Sequence, residues 1–186
     1  MKRIARLVVG AARVVVPILF VTSAVAADTP PAPPMIPNAR TPLDGVLTGG
    51  QPTFPQLERA AQEGWRTVIN LRTEGEPGFE WERAAAERLG MSYIQIPIAG
   101  AADLTRANVE RLDTTLRDAR PAGRVLLHCA SGNRAGALLA LRENWLHGAA
   151  PEDALALGLA AGLTSLEPQT RRLLGLESRP DQRDER

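Results

Sequence analysis

At 186 residues, 44% of them hydrophobic and 23% charged, the chain has room for one compact domain of about 130 to 150 residues beside its termini. Its 22 basic and 21 acidic side chains leave a formal net charge of +1, which argues against a strongly basic nucleic-acid binder. One cysteine cannot form an internal disulfide, and with two histidines lacking ligand-like spacing it argues against a zinc site.

The first 26 residues read as an export signal. Lys2, Arg3 and Arg6 form a basic start, Val14 to Val21 an apolar core, and Ala24-Val25-Ala26 a small-x-small cleavage pattern. Arg13 breaks the apolar run, so a stable membrane span of ~20 residues is not expected, with an uncleaved anchor as the alternative. Cleavage removes four basic groups and leaves 18 against 21 acidic ones, a net charge of −3 with no basic stripe for nucleic acid. The expected location is outside the cytoplasm, in the periplasm. Residues 27–42 read as a Pro-rich, extended linker, 43–177 as the domain, and 178–186 as a polar, disordered tail.

Within the domain, strands and helices alternate. Gly45 to Thr48 reads as a short strand, and Thr53, with Gln56 three residues on, as the N-cap of a helix ending near Gly64. Thr67 to Leu71 is β-rich, Glu80 to Leu89 is a helix stopped by Gly90, and Ser92 to Ile98 alternates as a strand. Thr105 caps a helix running to about Ala119, and Arg124 to His128 is a strand that feeds Cys129. Arg134 to Leu146 carries a broad apolar face, Pro151 starts a helix ending near Gly162, and Pro168 starts a last one through Leu174. Such alternation predicts an α/β fold with a mainly parallel sheet flanked by helices. Sheets of that kind bind ligands at the carboxyl ends of their strands, where Cys129 falls.

The run His128-Cys129-Ala130-Ser131-Gly132-Asn133-Arg134 carries the chemistry. A helix N-terminus offers unpaired N–H groups and the positive end of a dipole, and a cysteine placed there becomes a better thiolate. Gly132 lets the loop amides turn inward as a nest, and Arg134 adds a planar fork that fits two oxygens of one tetrahedral anion. Ala130, Ser131, Gly132 and Asn133 thus form a candidate anion-binding loop around the nucleophile. The competing reading is a small buried core cysteine, which needs neither the glycine nor the arginine.

The stretch from His128 to Gly162 resembles the C-terminal half of the cysteine-dependent protein tyrosine and dual-specificity phosphatases, down to Gly136 two residues after the arginine. Two upstream runs, Gly49-Gly50-Gln51-Pro52-Thr53 and Thr67-Val68-Ile69-Asn70-Leu71-Arg72, resemble a bacterial branch, the phosphatase-like domain of beta-lactamase-hydrolase-like proteins. The acidic loop Thr73-Glu74-Gly75-Glu76 continues that likeness, which spans residues 43 to 170. It implies a tyrosine-phosphatase-like fold, a phosphorylated substrate and no cofactor.

Two departures stand out. Four residues separate Cys129 from Arg134 where tyrosine phosphatases of this kind place five, a length that resembles rhodanese-like sulfurtransferases. Ala135 stands where phosphatases carry a Ser or Thr hydroxyl that helps the thiolate leave, and Ser131 is a possible substitute. Among helper residues, the resemblance favours Asp103 as general acid, because it follows Ile96-Pro97-Ile98; the alternative is that it only helps start the Thr105 helix. Glu74 and Glu76 read as solvated loop residues, with Arg72 or Glu76 in reach of the pocket rim. By strand alternation, His128 points away from Cys129 and braces the loop from the core; His147 reads as an exposed helix-end residue.

Three functions stay open on these grounds: a phosphatase working through a phosphocysteine, a sulfurtransferase carrying a persulfide on Cys129 from an anionic donor, and a non-catalytic module that binds an anion or a partner. An exported chain with one cysteine favours sulfur chemistry modestly, since an exposed thiolate oxidises readily.

Overall fold

The computed structural model describes residues 36–176. The expected export signal, the linker up to residue 35 and the polar tail from 178 lie outside the described residues. A five-stranded sheet runs in the order β1-β2-β5-β3-β4. Its strands are β1 (Arg40–Leu43), β2 (Val46–Gly49), β3 (Trp65–Asn70), β4 (Ser92–Gln95) and β5 (Arg124–His128). All neighbours pair in parallel except the outer β1, which runs antiparallel to β2. The helices are α1 (Phe54–Gln62), α2 (Glu82–Arg88), α3 (Arg106–Ala119), α4 (Asn133–His147), α5 (Pro151–Ala160) and α6 (Glu167–Leu173).

Local signals place most of these elements. The Thr53 N–H donates to Gln56 Oε1 at 2.8 Å as α1 starts, and Thr105 Oγ1 accepts from the Asn108 N–H at 3.3 Å as α3 starts. Gly90 and Gly148, both at φ +73°, let the chain turn after α2 and α4. One element differs from expectation: β1 begins at Arg40, inside the stretch read as linker, and Ile36 is already buried. Pro42 and a polar composition hide this strand in the sequence, and an outer strand tolerates both.

The period of two along each strand sorts side chains into two cores. Val125, Leu127 and Cys129 join Ile69 and Leu71 beneath α3 and α4, while Leu126 joins Val68 and Trp65 on the face covered by α1 and α2. The strand that leads to Cys129, β5, is therefore central in the sheet and covered on both sides. Four residues separate its end from α4.

Candidate active site

Between β5 and α4 the chain makes a loop of four residues. Gly132, at φ +96°, is the N-cap of α4, so helical backbone starts at Asn133 and Arg134 falls in the first turn. The turn carries the Gly132 N–H to 3.1 Å from Cys129 Sγ, a donor aimed at the sulfur itself. Cys129 is buried, whereas Ala130 and Ser131 are exposed. The Glu76 carboxylate, and after it the sulfur of Cys129, favour the charged guanidinium of Arg134 against the effect of burial. An apolar strand, a left-handed glycine and a helix start thus bring thiol, amide and guanidinium together.

Arg134 does not stand free. Its Nη1 and Nη2 donate to Glu76 Oε1 and Oε2 at 2.6 and 2.8 Å, and Nη1 also donates to the Ile98 carbonyl at 2.7 Å. Glu76 accepts in addition from the Thr73 N–H at 2.9 Å and from Arg72 Nε at 3.2 Å. Arg72 is itself buried, with Nη2 donating to the Pro77 carbonyl at 2.7 Å. The Arg134 hydrogen bonds pull the Glu76 carboxyl down to about 2, against a smaller opposing effect of burial. Glu76, expected as a solvated loop residue with reach to the rim, is the residue that orients the arginine.

A cleft of about 410 Å3, within the range of small-molecule sites, opens over this centre. Thr73, Glu76, Ala99, Gly100, Ser131, Asn133, Arg134, Ser165 and Leu166 line it. The carboxylate of Asp103 is engaged in a turn: its Oδ2 accepts from the N–H of the cleft-lining Ala99 at 2.6 Å. Its carbonyl accepts from Asn108 Nδ2 at 2.8 Å, so the residue also shapes the entry to α3. Asp103 is not among the residues that line the cleft, although its carboxylate bonds the backbone of Ala99, which is; Glu76 is the carboxylate in the lining.

Asn133 divides its roles. Its side chain turns toward the segment after α5, with Oδ1 accepting from the Thr164 and Leu166 N–H groups at 2.8 and 3.2 Å and Nδ2 donating to Ser165 Oγ at 2.8 Å. It pins that segment against the loop. Beneath the loop, His128 Nε2 lies 2.8 Å from Glu82 Oε1, and Nδ1 lies 3.2 Å from the Cys129 carbonyl. Glu82 Oε2 accepts from Asn70 Nδ2 at 2.7 Å, and the same nitrogen lies 2.8 Å from the Tyr93 hydroxyl. His128 therefore braces the loop from the opposite face of the strand, as strand alternation requires. At the far end of α4, His147 Nε2 meets Asp113 Oδ1 at 3.0 Å.

Comparisons with known proteins agree with this architecture. Over 102 residues, the chain is 39% identical to a beta-lactamase hydrolase-like protein of Xylella fastidiosa (strain Temecula1 / ATCC 700964), covering 53% of this chain and 23% of that protein. It spans about a quarter of the length of such curated relatives. A DUF442 protein of Shewanella putrefaciens CN-32 superposes with a TM-score of 0.61 at 22% identity, over 75% of this chain and 90% of that one. P. aeruginosa TpbA, solved in complex with pTyr, superposes with a TM-score of 0.57 at 18% identity, over 75% and 87%. These two likenesses concern the fold. A family model described as "DSP-PTPase phosphatase fused to NAD+ Kinase" matches residues 41–169, and the chain belongs to that family as a phosphatase-like domain of the tyrosine and dual-specificity phosphatase superfamily.

Proposed function

We propose that the domain is a cysteine-dependent phosphatase that hydrolyses a phosphate monoester through a phosphocysteine. The observation that carries this reading is the Gly132 N–H placed 3.1 Å from Cys129 Sγ with Arg134 in the same helix turn. Amide and guanidinium stabilise the thiolate before reaction and equatorial phosphoryl oxygens during it. Sγ attacks phosphorus in line, the P–O bond to the leaving group breaks, and the leaving oxygen takes a proton. Water then attacks phosphorus, the S–P bond breaks, and inorganic phosphate leaves with the thiolate restored.

Both departures bear on these steps. Ala135 is buried and has no hydroxyl to assist the thiolate, while Ser131 lies on the cleft surface and is the group available for that task. Glu76, held ionised by Arg134, does not donate a proton near neutral pH. Asp103 is the remaining candidate acid, and it acts once the turn from Ala99 to Asp103 opens toward substrate. Aryl phosphates, whose phenolate leaves with little help, are the substrates this arrangement favours, in keeping with the phosphotyrosine complex of TpbA. The leader-like residues 1–26 support export of the domain to the periplasm.

Turnover of an aryl phosphate by the purified protein, and its loss in Cys129→Ser, is the expected result. Cysteine-dependent transfer of sulfur from thiosulfate to cyanide without phosphate release would replace this reading with the persulfide one, for which the four-residue spacing speaks. Absence of both reactions would leave an anion-binding module. Asp103→Asn is expected to slow alkyl phosphates more than aryl ones; rates unchanged from the parent would remove Asp103 from the chemistry. Secretion is checked by the intact mass of the exported protein, which should lack residues 1–26.

A further inference from the structure

Ahead of the residues matched by the family model, Ile36, Pro37 and Asn38 lie across the anion loop as a strap. Ile36 is buried, and the Pro37 carbonyl accepts from the Gly50 N–H at 2.6 Å. Gly50 in turn forms an isolated antiparallel bridge with Ser131, inside the loop itself. The Gly49-Gly50 pair makes this stack possible. A Cβ on Gly49 would stand 2.6 Å from Ile36 Cδ1, and one on Gly50 would stand 2.8 Å from the Ala130 carbonyl and 3.0 Å from Pro37 Cβ. Neither glycine has a positive φ, so what selects them is close approach.

Asn38 completes the strap. It is the one non-glycine residue with positive φ among the described residues, at +54°, and its Nδ2 donates to the Ser131 carbonyl at 3.1 Å. That carbonyl belongs to the same peptide group as the Gly132 N–H. In a trans peptide the two point in opposite directions. A donor that holds the carbonyl outward therefore holds the N–H inward, at 3.1 Å from Cys129 Sγ. It also polarises the peptide and strengthens the bond on its far side.

We propose that Asn38 is a positioning residue that fixes and polarises the Ser131–Gly132 peptide so that its N–H is presented to the Cys129 thiolate and then to the anion bound there. This rests on the thiolate reading of the site given above. It also makes the strap, which the sequence reads as linker, a working part of the catalytic loop.

The test reads the sulfur directly. Cys129 is the only cysteine, so the ultraviolet absorbance of the thiolate against pH reports one group. The only tyrosine, Tyr93, is pushed up by burial and stays out of that window. The charged and titratable groups around the loop are Arg134 on α4, Glu76 and Arg72 from the segment after β3, His128 on β5 and Glu82 on α2, and all are kept in the variants. Asn38→Gly preserves the left-handed backbone and removes only the amide donor. Asn38→Asp keeps the shape and turns an anion toward the Ser131 carbonyl.

The thiolate midpoint is expected to rise by about 0.3 unit or more in Asn38→Gly, and further in Asn38→Asp. Orthovanadate, a tetrahedral oxyanion probe, should bind both variants more weakly than the parent. Midpoints within about 0.1 unit of the parent in both variants would overturn the proposal. That result is independent of phosphate turnover: a parent protein inactive on every phosphate but showing the midpoint shift would sink the phosphatase reading and leave Asn38 in place.

Discussion

Glu76 ties two distant segments together through one carboxylate: its own turn, through Thr73 and the buried Arg72, and Arg134 at the start of α4. Removing its charge leaves the guanidinium of Arg134 with the Ile98 carbonyl and the thiol for company, so Glu76→Gln is expected to lower kcat/KM on an aryl phosphate by about tenfold or more. The same pairing has a pH signature. The carboxyl is depressed in the folded state to about 2 from an ordinary value of 4.5. Its contribution to stability is therefore complete above about 4.5 and is lost as pH falls from there toward 2. Glu76 is 23% exposed, so after solvent screening the contribution is on the order of 2 kcal/mol. Urea midpoints of the parent and Glu76→Gln should differ at pH 6 and converge as pH approaches 3; a gap that stays constant would show that the pair adds no pH-linked stability. Sequence displays half of this arrangement. Thr73 and Glu76 have the spacing of a local capping turn, but Arg134 lies 58 residues away, and no local pattern announces that partner.

At the scale of elements, α4 and α5 cross at two glycines. A Cβ on Gly136 would meet the Gly158 carbonyl at 2.6 Å and the Leu163 backbone nitrogen closer still; one on Gly158 would meet Ala140 Cβ at 2.7 Å. Gly136→Ala gains about 1 kcal/mol of helix propensity and incurs about 1–3 kcal/mol of overpacking. The overpacking wins here because the obstacles are backbone atoms of α5 and its exit turn. The variant should lose about 1 kcal/mol in urea unfolding, and a gain in stability would mean that the helices separate at little cost. The helices themselves were legible. Thr53 and Thr105 mark their starts, and the apolar run from Leu138 to Leu141 marks the buried face of α4. Less visible were β1, short and interrupted by Pro42, and the Ile36–Asn38 strap, whose proline-rich surroundings read as linker. Their structure is imposed by what they lie against: the edge of β2 and the Gly49-Gly50 seat. The site shows the same division. Cys129, Gly132 and Arg134 stand in one local run, whereas the Asn133 side chain is captured by residues 164–166, invisible to a local reading.

At the scale of the whole molecule, Cys129 sits where the two cores meet the loop. Cys129 belongs to the core under α4, while His128, one residue earlier, reaches into the opposite core to Glu82 on α2. Through Asn70 and Tyr93 that contact extends across β3 to β4, so four elements share one buried polar network behind the Cys129 loop. Both His128 and Glu82 are fully buried, and a partner left alone there has no water to turn to. Each single truncation, His128→Leu or Glu82→Leu, should therefore cost about 3 kcal/mol or more, chiefly by stranding the other group. The double variant removes both polar groups together and should cost less than the sum of the singles by about 2 kcal/mol. Urea unfolding of the four proteins in the cycle measures that difference. Strict additivity would mean that the pair is not coupled, and that the loop is braced by the Cys129 carbonyl contact alone. A non-additive result combined with slower aryl phosphate hydrolysis in Glu82→Leu would show that a carboxylate on α2, out of contact with the anion, reaches the nucleophile through the histidine beside it.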